Sequence, residues 1–229
     1  MSSLALRELS GRIAGMMSSF PRPWFLCGGW AADSWLGHQT RDHGDVDICI
    51  FDADQGALFD HLSGWFMTGH NKDTTSGIWD GRPLALPAHI HARPPGEDNR
   101  ALVSGWLSTG AAWAAHDGFD VEFILNARDG GEWTLSRSPV VSRPLVRCYR
   151  DSPAGIPTAQ PEVLMFYKAT AYWGPAPTSG EAIKGHPRPH DLVDFLALAP
   201  LLAAAEERWL VEALTAIDPR HPWLGHLAG

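Results

Sequence analysis

Two aspartates, Asp45 and Asp47, sit two residues apart in the otherwise apolar run D-V-D-I-C-I-F at residues 45–51. Side chains on a strand alternate between faces, so Val46, Ile48 and Ile50 suit a core while Asp45 and Asp47 share the opposite face. Their Cα atoms would stand roughly 6.5 Å apart, twice the rise per residue. Two carboxylates that close can chelate Mg²⁺, a hard cation that takes oxygen ligands and keeps substrate phosphates in its shell. The plainer reading of the same pair is a solvated strand face with two ordinary acids.

A second acidic strand favours the metal reading. Residues 119–125 read F-D-V-E-F-I-L. Val121, Phe123 and Leu125 form one apolar face, with Asp120, Glu122 and Ile124 on the other. If this strand lies beside the first, Asp120 or Glu122 completes a carboxylate cluster. Converging carboxylates repel one another, and a bound cation relieves that repulsion. The alternative is an edge strand with an exposed polar face.

Gly28 and Gly29 stand just ahead of this pair. Trp24 to Cys27 reads as a short buried strand, and Trp30 to Gly37 reads as a helix with Gly37 as its stop. A strand, a double-glycine turn and a helix start leave unpaired N–H groups aimed at one spot, which suits a phosphate. On its own, Gly–Gly also fits a plain tight turn. Phosphate cradle and carboxylate pair together point to an enzyme that handles a nucleoside triphosphate.

With these residues in view, the run GGW-AADSWLG-x-x-TRDHGDVDI resembles the nucleotidyltransferase superfamily, in the branch around aminoglycoside 2''-adenylyltransferase. The later segments PEVLMFYKATAYW and HPRPHDLVDFLAL are similar to the helices that follow in that branch. The resemblance covers about three quarters of the chain and is most specific over residues 28–48. It implies an α+β fold, a nucleotidyltransferase-like mixed β-sheet with flanking helices plus a C-terminal helical part. It implies transfer of a nucleoside monophosphate, AMP first among them, from a triphosphate to a hydroxyl of a small, aminoglycoside-like molecule with two Mg²⁺ ions. Asp45 and Asp47 would be metal ligands. Asp120 would match the catalytic carboxylate and also touch the metals, with Glu122 the alternative base. Gly28 and Gly29 take the phosphate by backbone N–H groups, since the superfamily's Gly–Ser pair is here Gly–Gly. Lys168 would reach the triphosphate from its helix, or lie on a solvated face. Arg41 would contact phosphate by charge-assisted bonds, or pair with Asp42 or Asp45. Two rivals share the fold: a toxin-type transferase acting on RNA or protein, and a non-catalytic nucleotide-binding relative.

Composition agrees with a soluble enzyme. The chain has 229 residues, 45% hydrophobic and 19% charged, enough to bury a substantial core. A net charge of -8 argues against a general nucleic-acid binder. No apolar stretch approaches the ~20 residues of a membrane span, and no signal peptide is visible. Cys27, Cys49 and Cys148 read as buried free thiols of a reducing cytoplasm, the expected location.

The elements that position the site follow from periodicity and punctuation. Leu6, Leu9, Ile13, Met16 and Phe20 mark an N-terminal helix closed by Pro21 and Pro23. A helix is expected over 54–66, and hairpins and loops over 67–118. Asp129-Gly130-Gly131 predicts a hairpin turn. Ser152 to Pro161 reads as a linker between a nucleotidyltransferase domain, 1–153, and a helical domain, 154–229, with helices near 161–173, 189–199 and 201–216. The segment from Gly69 to Ala115 is expected to shape the acceptor pocket, with Trp65, Trp79, Trp106 and Trp113 in or near it as candidates to stack on a base or a sugar face. His89 and His91 form an H-x-H that reads as pocket lining rather than as a metal site, because no third ligand is evident.

Overall fold

The computed structural model describes residues 3–71, 74–95, 120–136, 140–170, 173–175, 182–184 and 188–227. Helix α1 (Ser3–Met17) buries Leu6, Leu9, Ile13 and Met17 on one face, and the chain turns at Phe20 ahead of the two prolines. Strand β1 (Phe25–Leu26) is shorter than the apolar run suggested. Helix α2 (Gly28–Leu36) follows at once, and Gly37 closes it in the left-handed conformation, donating its N–H to the Asp33 carbonyl at 2.8 Å.

Strand β2 (Val46–Phe51) leads through a 3₁₀ turn into helix α3 (Gln55–His61), shorter than expected. Strands β3 (Phe66–Asn71), β4 (Thr74–Ile78) and β5 (Ala88–Arg93) form an antiparallel set. Strand β6 (Val121–Asp129) turns through Gly130-Gly131 into β7 (Glu132–Thr134), the predicted hairpin. Then come β8 (Ser142–Pro144), β9 (Tyr149–Asp151) and β10 (Pro157–Ala159). Helices α4 (Pro161–Thr170), α5 (Pro189–Leu198) and α6 (Ala204–Ile217) complete the chain, with β11 (Trp173–Pro175) and β12 (Ala182–Lys184) paired between the first two.

The main sheet is mixed, in the order β4-β3-β5-β6-β2-β1-β10-β9. Its centre is the parallel pair β2–β6, in register from Val46↔Val121 to Phe51↔Asn126. These central strands are apolar because both their faces are covered. Phe25, Phe51, Phe123 and Phe166 are wholly buried, each contributing about 1.5–3 kcal/mol over an exposed position.

The stretch 152–161 is not a linker. It contains β10, which pairs in parallel with β1 and antiparallel with β9, with Thr158 fully buried. The expected boundary at 153/154 thus falls inside a paired hairpin. The hydrophobic core runs unbroken from Leu9 through the sheet to Trp223 and Leu227. The apolar piece at 102–107, Trp106 and Trp113 lie outside the described residues.

Candidate active site

Sheet register decides which acids meet. Asp47 on β2 stands directly opposite Glu122 on β6. Carboxylate oxygens of Asp45, Asp47 and Glu122 lie within 4.8 Å of one another, Asp45 exposed and the other two partly buried. Burial, reinforced by the neighbouring Asp45, pushes the Asp47 carboxyl up to about 7, although Lys168 and Arg188 pull it down. Three such oxygens form a hard donor set that fits Mg²⁺.

Asp120 is not part of this trio. Its carboxylate is buried and bonded by Arg93 of β5, with Arg93 Nη2 donating to Oδ2 at 2.9 Å. The Asp120 backbone still serves the site, because its carbonyl accepts the Val46 N–H at 2.9 Å and locks β2 to β6 beside the aspartates.

The double glycine sits against the acids. The Cys27 N–H donates to the Asp47 carbonyl at 2.9 Å, so the turn is tied to the strand that carries Asp47. Gly28 has φ +71°, and a Cβ there would overlap the Asp47 carboxylate. A Cβ on Gly29 would overlap the His43 ring and crowd Arg41 Nη2. Only glycine at these two positions lets the start of α2 pack this closely against Asp47 and His43.

Facing the acids is a cationic wall that belongs mostly to the C-terminal helices. Lys168 of α4 donates to Asp194 at 2.6 Å and lies 3.5 Å from Asp191. Arg188, at the start of α5, donates through Nε to Asp191 at 2.7 Å. Arg41 donates to Asp194 at 3.0 Å, so it pairs with neither carboxylate expected for it, Asp42 or Asp45. Three cations share two buried acids, leaving the wall net positive. Arg41 Nε is buried with no hydrogen-bond partner among the described residues. Lys168 is almost fully buried, so the solvated-face reading is set aside.

One further network was not read from the sequence. Asp33, wholly buried on α2, bonds His43 Nε2 at 2.6 Å and accepts from the Thr40 hydroxyl and N–H at 2.7 and 3.0 Å. Burial would raise its carboxyl, but the His43 and Thr40 hydrogen bonds outweigh it and hold Asp33 below the ordinary range. This network pins the loop that carries Arg41 and leads into Asp45. Its signal lay in the spacing of a helix aspartate to the T-R-D-H run, which is legible only once the helix turns back.

Gly28, Gly29, Arg41, Asp45, Asp47, Glu122 and Lys168 line one cavity of about 400 Å³, joined there by Arg188 and Asp191. A second cavity of about 410 Å³ is lined by Asn71, Ala88, His89 and Ser136, and shares Glu122 and Ile124 with the first. The segment after Gly69 does contribute to this second space. Trp79 does not: it is buried against Phe59, and its ring N–H is bonded to the Arg82 carbonyl at 2.7 Å.

Residues 11–74 match the family model described as aminoglycoside-2''-adenylyltransferase. No curated protein matches the chain. Among solved structures, the crystal structure of ANT(2'')-Ia in complex with adenylyl-2''-tobramycin is similar over 94% of this chain and 98% of that one, with TM-score 0.52 and 14% identity. The solution structure of ANT(2'')-Ia is similar over 98% and 97%, with TM-score 0.51 and 14% identity. The lincomycin-bound lincosamide antibiotic adenylyltransferase LnuA is similar over 84% and 95%, with TM-score 0.48 and 14% identity. The chain therefore has the fold of these nucleotidyltransferases, and its residues 11–74 are similar to the aminoglycoside-2''-adenylyltransferase family.

Proposed function

We propose that this protein moves a nucleoside monophosphate, AMP from ATP in the first instance, onto a hydroxyl of a small polar molecule of the aminoglycoside kind. The observation that carries this is the position of Glu122, which stands between two cavities of about 400 and 410 Å³, one walled by acids and cations, the other open beyond it. The fold and the family match support an enzyme of the nucleotidyltransferase class.

The first cavity suits the metal-bound triphosphate. Asp45, Asp47 and Glu122 would hold Mg²⁺. When bound, divalent cations neutralise the carboxylates and stabilise the attacking and leaving oxygens of an in-line displacement. Arg41, Lys168 and Arg188 bind the triphosphate oxygens from the opposite wall, and the N–H groups at Gly28 and Gly29 receive phosphate at the start of α2. The cationic wall therefore balances the charge that accumulates on departing pyrophosphate.

The second cavity suits the acceptor. Its hydroxyl oxygen attacks the α-phosphorus, the bond to the bridging oxygen of the β-phosphate breaks, and pyrophosphate leaves. The hydroxyl proton passes to a carboxylate. We assign that role to Glu122, a reading supported by the bond that Arg93 makes to the Asp120 carboxylate.

Pyrophosphate release from each of the four common nucleoside triphosphates, with Mg²⁺ and a panel of aminoglycosides, lincosamides, RNAs and proteins, tests the reading. Release stimulated by a small hydroxylated acceptor is expected. Stimulation by RNA or protein alone would move the assignment to a macromolecular transferase, and nucleotide binding without turnover on any acceptor would point to a binding protein.

A further inference from the structure

A second group of ligand-bearing side chains lies on the same sheet face, one strand beyond Glu122. His70 on β3 stands opposite His89 on β5, and His91 follows two residues later on the same face of β5. One ring nitrogen from each of the three lies within 4.8 Å of the others. The ring centroids are 4.8 to 5.2 Å apart, with His70 and His89 stacked and His91 edge-on to both. All three rings are partly buried, so solvent reaches the cluster.

One neighbour bonds a ring as the outer partner of a metal site does, and a carboxylate lies nearby. The Thr68 hydroxyl, fully buried, lies 3.0 Å from His70 Nε2. A Glu122 carboxylate oxygen lies 4.0 Å from His89 Nδ1.

We propose that His70, His89 and His91 form a binding site for a divalent transition metal, Zn²⁺ foremost, distinct from the carboxylate trio. Imidazole donors select Zn²⁺, Cu²⁺ or Ni²⁺, whereas the oxygen donors of Asp45, Asp47 and Glu122 suit Mg²⁺. A tetrahedral ion with bonds of about 2.0–2.1 Å brings its ligand nitrogens to about 3.3 Å apart, so small ring rotations close the site. Three protein ligands leave a fourth position open, as in zinc sites that bind an exchangeable oxygen. The second cavity is lined by His89, so that position is accessible to a small oxygen or nitrogen ligand. The site stands on the histidine geometry alone and is independent of the transfer reaction.

The test uses the full chain, stripped with a chelator and equilibrated with Zn²⁺ or Co²⁺ alone. One Zn²⁺ per chain is expected by elemental analysis, persisting in a large excess of Mg²⁺, with the strong visible absorption of tetrahedral Co²⁺ in the Co²⁺ form. His70→Gln and His91→Gln should each weaken Zn²⁺ binding by more than ~100-fold, since even loss of an outer partner costs 10–100-fold. Asp45→Asn should leave it unchanged. Failure to retain Zn²⁺, weak octahedral Co²⁺ absorption, or loss of Zn²⁺ in Asp45→Asn with retention in folded histidine variants would each overturn the assignment. If the histidine variants do not fold, the wild-type Co²⁺ spectrum decides it.

Discussion

Asp47 and Glu122 face each other across the parallel pair β2–β6, in register. That single pairing gathers three carboxylates and leaves Asp120, two residues earlier on the same chain, to Arg93. The two acids of D-V-E thus lie in different surroundings, Glu122 in the carboxylate trio and Asp120 against Arg93.

Glu122→Gln should therefore lower transfer by about two to four orders of magnitude, the range of a positioned general base, and weaken Mg²⁺ binding because the trio loses a carboxylate. Asp120→Asn should act on the fold instead. Breaking a buried ion pair leaves Arg93 uncompensated, at a cost of about 3–5 kcal/mol. Urea denaturation beside steady-state kinetics separates the two. A stable, inactive Asp120→Asn with an active Glu122→Gln would reverse the roles.

Gly28→Ala should lose most activity and some stability. Its φ of +71° strains any side chain, and the added methyl would displace the Asp47 carboxylate. The backbone penalty alone is about 1–2 kcal/mol. Thermal unfolding and kcat/KM would both fall, and a fully active variant would mean that Asp47 need not hold its present position.

Lys168→Met should raise the nucleotide KM by roughly 10- to 100-fold, the worth of about 1.5–3 kcal/mol for a charged hydrogen bond. The acceptor KM should move less. Ser136→Trp should do the opposite, because Ser136 lines the second cavity only. Initial-rate kinetics with each substrate varied in turn would reveal a swapped pattern if the cavities are assigned the wrong way round.

The pH dependence of stability has one identifiable contributor at His221. Its Nε2–H donates to the Ala169 carbonyl at 3.1 Å, and its Nδ1 accepts the Trp223 N–H at 3.2 Å, so the buried ring is held neutral. Burial lowers its pKa, against weaker opposition from the Ala169 bond and Asp218. The unfolded chain takes up a proton at this residue below about pH 6.5 and the folded chain does not. Stability is then full above that pH and falls as pH drops, by at most about 1.4 kcal/mol per pH unit for one proton. His221→Gln should flatten the decline in Tm between neutral and mildly acidic pH. An unchanged slope would assign the decline to other groups.

Much of the site was legible in local spacing. Alternation placed Asp45, Asp47 and Glu122 on polar faces, and Gly28-Gly29 marked the start of a helix beside them. Alternation does not carry register, so the choice between Asp120 and Glu122 depended on where β6 pairs. The third histidine was hidden for the same reason, since His70 meets His89 and His91 only through the β3–β5 pairing. The stretch 152–161 looked like a linker because proline and small residues break patterns. It is ordered as β10 because β1, only two residues long, takes a strand on each side. Arg188 and Asp191, which bond each other, escaped notice because Lys168, the cation that joins them at Asp191, lies on another helix.

The most direct test follows the label from ATP carrying it on either the α- or the γ-phosphate, with Mg²⁺ and a hydroxylated acceptor. The α-label should appear on the acceptor and the γ-label in pyrophosphate, and both should vanish in Asp47→Asn, which should fold at least as stably as the wild type because a repelled carboxylate has been removed. Transfer of the γ-label to the acceptor, or wild-type transfer of the α-label by Asp47→Asn, would contradict nucleotidyl transfer at this carboxylate trio.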